Sequence, residues 1–272
     1  MRIAELHTHP VKGCHRLDHD AVVVEPWGLA GDRRWMMIDP DGVGITQRDT
    51  AVLTQLTVHP RPGGLRLTAA GRPDLDVDEP AHGPKVGVHV FRNKPEVPAR
   101  LSEAGSAWCR EFLGRDARLV WQADPTGRTI EELALPGDRV SLADGYPVLL
   151  ANAASLDAVN DWLAETGDEP VPIHRFRPNL VVEGAPAWAE DGWLGRRLRI
   201  GEMVFRVAKH CARCRVTTID QETGEAGRQP LHVLGRHRRI DGGLMFAVNL
   251  IPDLAAGDTG VLRLGDTVTP LE

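Results

Sequence analysis

Apolar residues recur along the chain in short stretches, each closed by glycine, proline, aspartate or asparagine, rather than in long helical stripes. That pattern predicts short strands over residues 2–8, 21–25, 34–39, 54–59, 65–68, 86–91 and 118–122. Asp39-Pro-Asp-Gly42 and Arg61-Pro-Gly-Gly64 are the turn chemistry expected between paired strands. Ala104, Trp108, Cys109 and Phe112 fall at helical spacing and predict a helix over residues 102–113. A polar tract rich in proline and glycine, residues 124–139, predicts the boundary between two domains, 1–123 and 124–272. In the second half, strands are expected at 146–150, 179–183, 197–200, 203–208, 215–219, 245–250 and 260–264. A helix with Leu156, Val159, Trp162 and Leu163 on one face should follow Ser155, and a short one should cover 230–237. The expected fold is therefore mainly β with a few helices: a smaller sheet domain, then a β-barrel-like half.

Composition narrows the function classes. Lys and Arg total 32 against 38 acids, a net charge of −6, which argues against a general nucleic-acid binder. No apolar run approaches the roughly 18–20 residues of a membrane helix. The first ten residues lack the apolar core of a secretory signal, so a cytoplasmic protein is expected. Seven tryptophans against one tyrosine is unusual, but Trp35, Trp108 and Trp162 lie on apolar faces, where packing explains them.

Four cysteines are too sparse for a disulfide framework. Cys109 reads as a small buried hydrophobe and Cys14 as ambiguous. Lys209-His-Cys-Ala-Arg-Cys214 is the densest chemical segment, since flanking basic groups favour a thiolate. Alone it has two readings beside an inert pair. It could hold half of a zinc site completed by His7, His9 or His210, or act as a redox pair. Four other segments join positive charge to turn residues: Pro10-Val-Lys-Gly-Cys14, Gly28-Leu-Ala-Gly-Asp-Arg-Arg-Trp35, Ile45-Thr-Gln-Arg48 and Arg175-Phe-Arg-Pro-Asn179. Lys12 beside Gly13, and Arg33 soon after Gly31, offer charge and backbone N–H groups to a phosphate.

Taken in order, with Glu190-Asp-Gly-Trp193, Asp220-Gln-Glu-Thr-Gly224 and Gly265-Asp266, these segments resemble proteins with an N-terminal β-barrel domain followed by a MOSC (molybdenum cofactor sulfurase C-terminal) domain. The pattern is similar to that of the mitochondrial amidoxime-reducing components and their bacterial relatives, and it covers nearly the whole chain. The resemblance implies molybdopterin as cofactor, with Cys214 as the molybdenum ligand and Cys211 not a ligand. It places Lys12 and Arg33 on the pterin phosphate, Arg177 and Asn179 in the pterin pocket, and Asp144 close to the metal. Gly13 stands where relatives often carry serine, leaving only its backbone N–H to serve. The implied reaction is two-electron reduction of N-hydroxylated small molecules. With no further cysteines for an iron–sulfur cluster, a separate electron-donor protein is expected. Sulfur transfer to the cofactor, or cofactor carriage without catalysis, are the alternatives; no upstream pyridoxal-phosphate domain is expected to supply a persulfide.

Overall fold

The first strand, Arg2–Thr8, meets only the short strand Leu17–Asp18 within its own half of the chain; on its other edge it lies antiparallel to Leu180–Glu183, with Leu6 opposite Leu180. The computed structural model describes residues 1–271 and is mainly β. Its largest sheet has nine strands and curls into a half-barrel. The order is Val268–Leu271, Arg197–Ile200, Met203–Ala212, Gly243–Pro252, Val148–Asn152, Leu180–Glu183, Arg2–Thr8 and Leu17–Asp18, with Arg239–Ile240 beside Gly243–Pro252. Pairing is antiparallel except between Val148–Asn152 and Leu180–Glu183. That parallel pair needs a crossover, and the helix Ala153–Glu165 lies within it. A second seam joins the halves where Gly260–Arg263 pairs with Ala21–Glu25. Val22, Val24 and Leu29 of the first half therefore share one core with Leu198, Phe205 and Leu250 of the second.

The rest of the first half is a four-stranded sheet ordered Trp35–Ile38, Arg118–Trp121, Glu96–Ser102, Lys85–His89 and a meander of Thr57–Arg61, Gly64–Thr68 and Leu75–Asp78. Helix Glu103–Leu113 packs against them through Trp108 and Cys109. Its start is fixed by the Ser102 hydroxyl, which accepts from Gly105 N at 3.2 Å, and its end by left-handed Gly114. Among the described residues no helix is long and apolar enough to cross a membrane.

The strand expected at 215–219 is instead a 3₁₀ turn, Arg215–Thr218. Thr217 Oγ1 donates to Cys214 O at 3.0 Å and Thr218 Oγ1 to Arg215 O at 2.8 Å. Threonines favour strands by side-chain shape, but here their hydroxyls satisfy local carbonyls and tighten the chain. The expected strand at 54–59 is likewise divided, a turn Ala51–Gln55 preceding Thr57–Arg61. Strands Leu75–Asp78, Glu96–Ser102 and Val268–Leu271 were not expected, and the last two carry Pro98 and Pro270, residues unusual within strands.

One buried acid pins the crossover helix. Glu190 accepts from Asn152 Nδ2 at 2.9 Å and from Ser155 Oγ at 2.7 Å, and Asn152 also caps the helix. Removing it leaves two buried donors unpaired. Glu190→Ala is expected to cost about 3 kcal/mol in urea denaturation; a loss under roughly 0.5 kcal/mol would show that the acid is dispensable.

Candidate functional site

The seven residues expected at a site, Lys12, Gly13, Arg33, Asp144, Arg177, Asn179 and Cys214, all line one cleft enclosing about 940 Å³, its mouth included. Both halves of the chain build it. Val11 bridges Trp35 beside Lys12, and Lys12 N donates to Trp35 O at 2.8 Å. Gly13 turns the chain with φ +81°, and a Cβ there would lie 3.2 Å from Leu53 Cδ1. Glycine suits that left-handed backbone, which a serine would strain.

Arg33 and Arg177 both adopt left-handed backbone, at φ 49° and 53°. Non-glycine residues rarely do so, and such strain clusters at functional positions. Arg33 is held by its neighbour Asp32 and reaches Asn179 Oδ1 at 3.2 Å. Asp32 is itself anchored by His9 N at 2.6 Å. Asn179 is a brace as much as a wall: its Oδ1 also accepts from Leu149 N, and its Nδ2 donates to His7 O. Arg177 donates to Gln221 Oε1 at 2.8 Å and to Cys14 O at 2.9 Å. Gln221 and Gln47 exchange paired amide hydrogen bonds at 2.9 and 3.0 Å, tying the two halves beneath the cleft.

The charge balance is lopsided. Lys12, Arg33, Arg48, Arg177 and Arg213 line the cleft against the carboxylate of Asp144. Burial pulls the Lys12 ammonium down to about 8 despite its ion pair with Asp144. Burial, then repulsion from Arg33, lowers Arg177 to about 9. Such shifts mark cations short of counter-charge, which an anion would supply. Asp144 is 66% exposed at its side chain, reachable by water although the cleft walls surround it. Those walls would raise its pKa, but Lys12, Arg48 and Arg33 outweigh them and hold the carboxyl below the usual range.

Cys214 stands just before the Arg215–Thr218 turn in extended backbone. Its Sγ lies 3.6 Å from Arg48 Nη2, while Cys211 Sγ is 2.8 Å from Arg213 Nη1. Each thiol thus faces its own guanidinium. Of the basic residues flanking the pair in sequence, Arg213 does face a thiol, whereas the charge beside Cys214 comes from Arg48 in the first half. Lys209 is paired with Glu132, His210 with Asp191, and Arg215 is exposed. The histidines that could complete a zinc site with the pair are engaged elsewhere. His7 lies between Glu5 and Asp18, His9 is 3.7 Å from Asp32, and His210 is on Asp191.

Arg48 is the residue that sequence reasoning left off the site. It stacks on Phe91 at 4.6 Å, lies 3.9 Å from Asp144 Oδ2 and reaches Cys214. Phe91 carries Lys12 on the same ring at 5.0 Å. The Ile45-Thr-Gln-Arg48 segment was legible as charge beside a turn, but nothing local to it points to Cys214.

Two family models match. The MOSC N-terminal beta barrel domain covers residues 1–116 and the MOSC domain covers residues 137–269. The chain is 30% identical to mitochondrial amidoxime-reducing component 1 of Homo sapiens, over 88% of this chain and 72% of that protein. It is 28% identical to the Mus musculus protein of the same name, over 98% and 81%. It is 30% identical to molybdenum cofactor sulfurase of Danio rerio over 98% of its own length, which spans only 34% of that protein. A solution structure from Bordetella bronchiseptica aligns with a TM-score of 0.31 at 19% identity, over 38% of this chain and 87% of that one. That likeness is too slight to bear on fold or function.

Proposed function

The chain belongs to the MOSC family, carrying both the MOSC domain and its N-terminal β-barrel domain, and from that premise we propose that it is a molybdenum-cofactor enzyme reducing N-hydroxylated small molecules. The observation that carries this reading is one cleft in which under-neutralised cations and a cysteine thiol stand together. Five basic side chains suit the phosphate and polar edges of a pterin, and a soft thiol suits molybdenum. When bound, the cofactor supplies two-electron chemistry, and the relatives' name points to amidoximes as the substrate class.

The protein's own residues do the remaining work. Lys12, the Gly13 N–H and Arg33 hold the phosphate, and Arg177 and Asn179 shape the pterin wall. Cys214 would present its sulfur to the metal, with Arg48 alongside at 3.6 Å. The half-open mouth admits a small substrate beside Tyr146. Asp144 moves protons, which reduction of an N–O bond to water consumes. Its carboxyl is held ionised by Lys12, Arg48 and Arg33, so it would enter the relay as a proton acceptor. Electrons come from a separate donor protein.

Turnover of benzamidoxime by the molybdenum-loaded protein with a chemical reductant tests the reading. Stoichiometric molybdenum and pterin without turnover would point instead to sulfur transfer or carriage, readings favoured by the match to the sulfurase. Asp144→Asn is expected to lower turnover about tenfold or more and to remove one limb of its pH profile. Full turnover with an unchanged profile would end the proton-relay role.

A further inference from the structure

Behind the cleft, the strand Arg2–Thr8 turns Glu5 and His7 to one side, as residues two apart in a strand must. Its neighbour Leu17–Asp18 sets Asp18 opposite His7, and the 3₁₀ turn Ile173–Phe176 brings His174 over them. We propose that Glu5, His7 and His174 bind one divalent transition-metal ion of the zinc type, at a site distinct from the Cys214 cleft.

Geometry supports it in three ways. One ligand atom from each of the three side chains lies within 4.8 Å of the others. A zinc ion with bonds of about 2.1 Å needs its tetrahedral ligands roughly 3.4 Å apart, so closure takes on the order of an ångström of side-chain movement. Half-exposed Glu5 and His174 can supply that movement, while His7, 3% exposed, stays fixed.

The ring of His7 is held in a fixed orientation. Its Nδ1 meets Asp18 Oδ1 at 2.8 Å and its Nε2 points at Glu5 Oε2 at 2.9 Å. A carboxylate on one imidazole nitrogen with the metal on the other is the usual way a ligating histidine is oriented. Asp18 is in turn steadied by Arg16 at 3.1 Å.

His174 stands edge-on to His7, ring centres 5.3 Å apart, and its Nδ1 is buried with no hydrogen-bond partner. A nitrogen shut from water without a partner is costly, and a metal would use it or reorient its ring. Two histidines and one glutamate leave a fourth position, which opens into a surface pocket shared with His19 and Asp20.

The ion would also tie the cleft from behind. His7 N donates to Asn179 O and His7 O accepts from Asn179 Nδ2, while Arg177 N donates to His174 O. Two ligands are thus one hydrogen bond from two residues of the cleft wall.

The test is calorimetric titration of the EDTA-stripped, full-length protein with Zn²⁺ and Co²⁺, alongside Glu5→Gln and His174→Gln. One ion per chain is expected, with affinity falling about tenfold or more in each variant. Zn²⁺ should raise the Tm of the parent and not of His174→Gln, whose circular dichroism should match the parent's. The bound Co²⁺ should lack the thiolate charge-transfer absorption that Cys211 or Cys214 would produce. Absence of binding, affinity in the variants equal to the parent's, or a thiolate-type Co²⁺ spectrum would each overturn the proposal.

Discussion

Replacing Cys214 with alanine is expected to abolish amidoxime reduction, with turnover down at least about a thousandfold, while the protein still folds and retains pterin. The side chain is only partly buried and its Sγ meets Arg48 at 3.6 Å, so little packing is lost. What disappears is the soft donor to the metal. Removing a group on which the chemistry depends typically costs several powers of ten. Cys211→Ala should keep substantial activity, because that thiol is committed to Arg213 at 2.8 Å and packs beside the core around Phe176 and Phe246. Molybdenum content, pterin content and turnover are measured for both. Full activity in Cys214→Ala, or the reverse ranking, would show that Cys214 is not the ligand.

Lys12→Met should weaken pterin retention about a hundredfold, which equilibrium dialysis or fluorescence of released pterin reads. Methionine keeps the buried stem and removes the ammonium, and truncating one partner of a buried charge pair costs roughly 2–5 kcal/mol. Asp144 loses a partner but is open to water and still lies 3.9 Å from Arg48, so the fold should survive. The pH dependence adds a second signature. With its ammonium lowered to about 8, Lys12 of the cofactor-free parent is neutral at pH 9.5, and binding of an anion must then recover the proton. Retention should therefore fall above pH 8 in the parent and stay flatter in Lys12→Met. Stability follows the opposite course. Between about 8 and the ordinary lysine value of 10.5, the unfolded chain binds more protons, so the cofactor-free parent gains stability as pH rises. Equal retention by the two proteins at pH 7 would remove Lys12 from the phosphate site.

Local chemistry made much of the cleft legible before any fold was known. Lys12-Gly13, Gly31-Asp32-Arg33 and Cys211-Ala-Arg-Cys214 each combine charge or thiol with a turn inside a few residues, and each contributes lining to it, the second through Arg33 alone. Long-range contributions were not legible. The guanidinium beside Cys214 comes from Arg48, 166 residues earlier, and not from Lys209, His210 or Arg215. The amide pair of Gln47 and Gln221 spans 174 residues. Secondary structure failed where side-chain chemistry overrode shape. Thr217 and Thr218 look like strand residues but bond back to their own turn. Glu96–Ser102 is polar in part and carries Pro98, yet it pairs on both sides, with Arg118–Trp121 and Lys85–His89.

The seam between Arg2–Thr8 and Leu180–Glu183 also governs how the chain must fold. Arg2 and Glu183, 181 residues apart, are partners across it. Contacts so distant in sequence place this protein among slow folders, since most of the chain must be ordered before the closing strands are rewarded. A nascent chain emerging from the ribosome cannot pair its first strand with Leu180–Glu183 until about two-thirds of the sequence has been made, nor finish its main sheet before Val268–Leu271 appears. Its first strand waits meanwhile with the edge meant for Leu180–Glu183 open, a natural client for a chaperone. Neither half expressed alone should reach a native state, and mixing the two should restore a cooperative transition only if they associate. The cleft, sewn from both ends, is then among the last features to form.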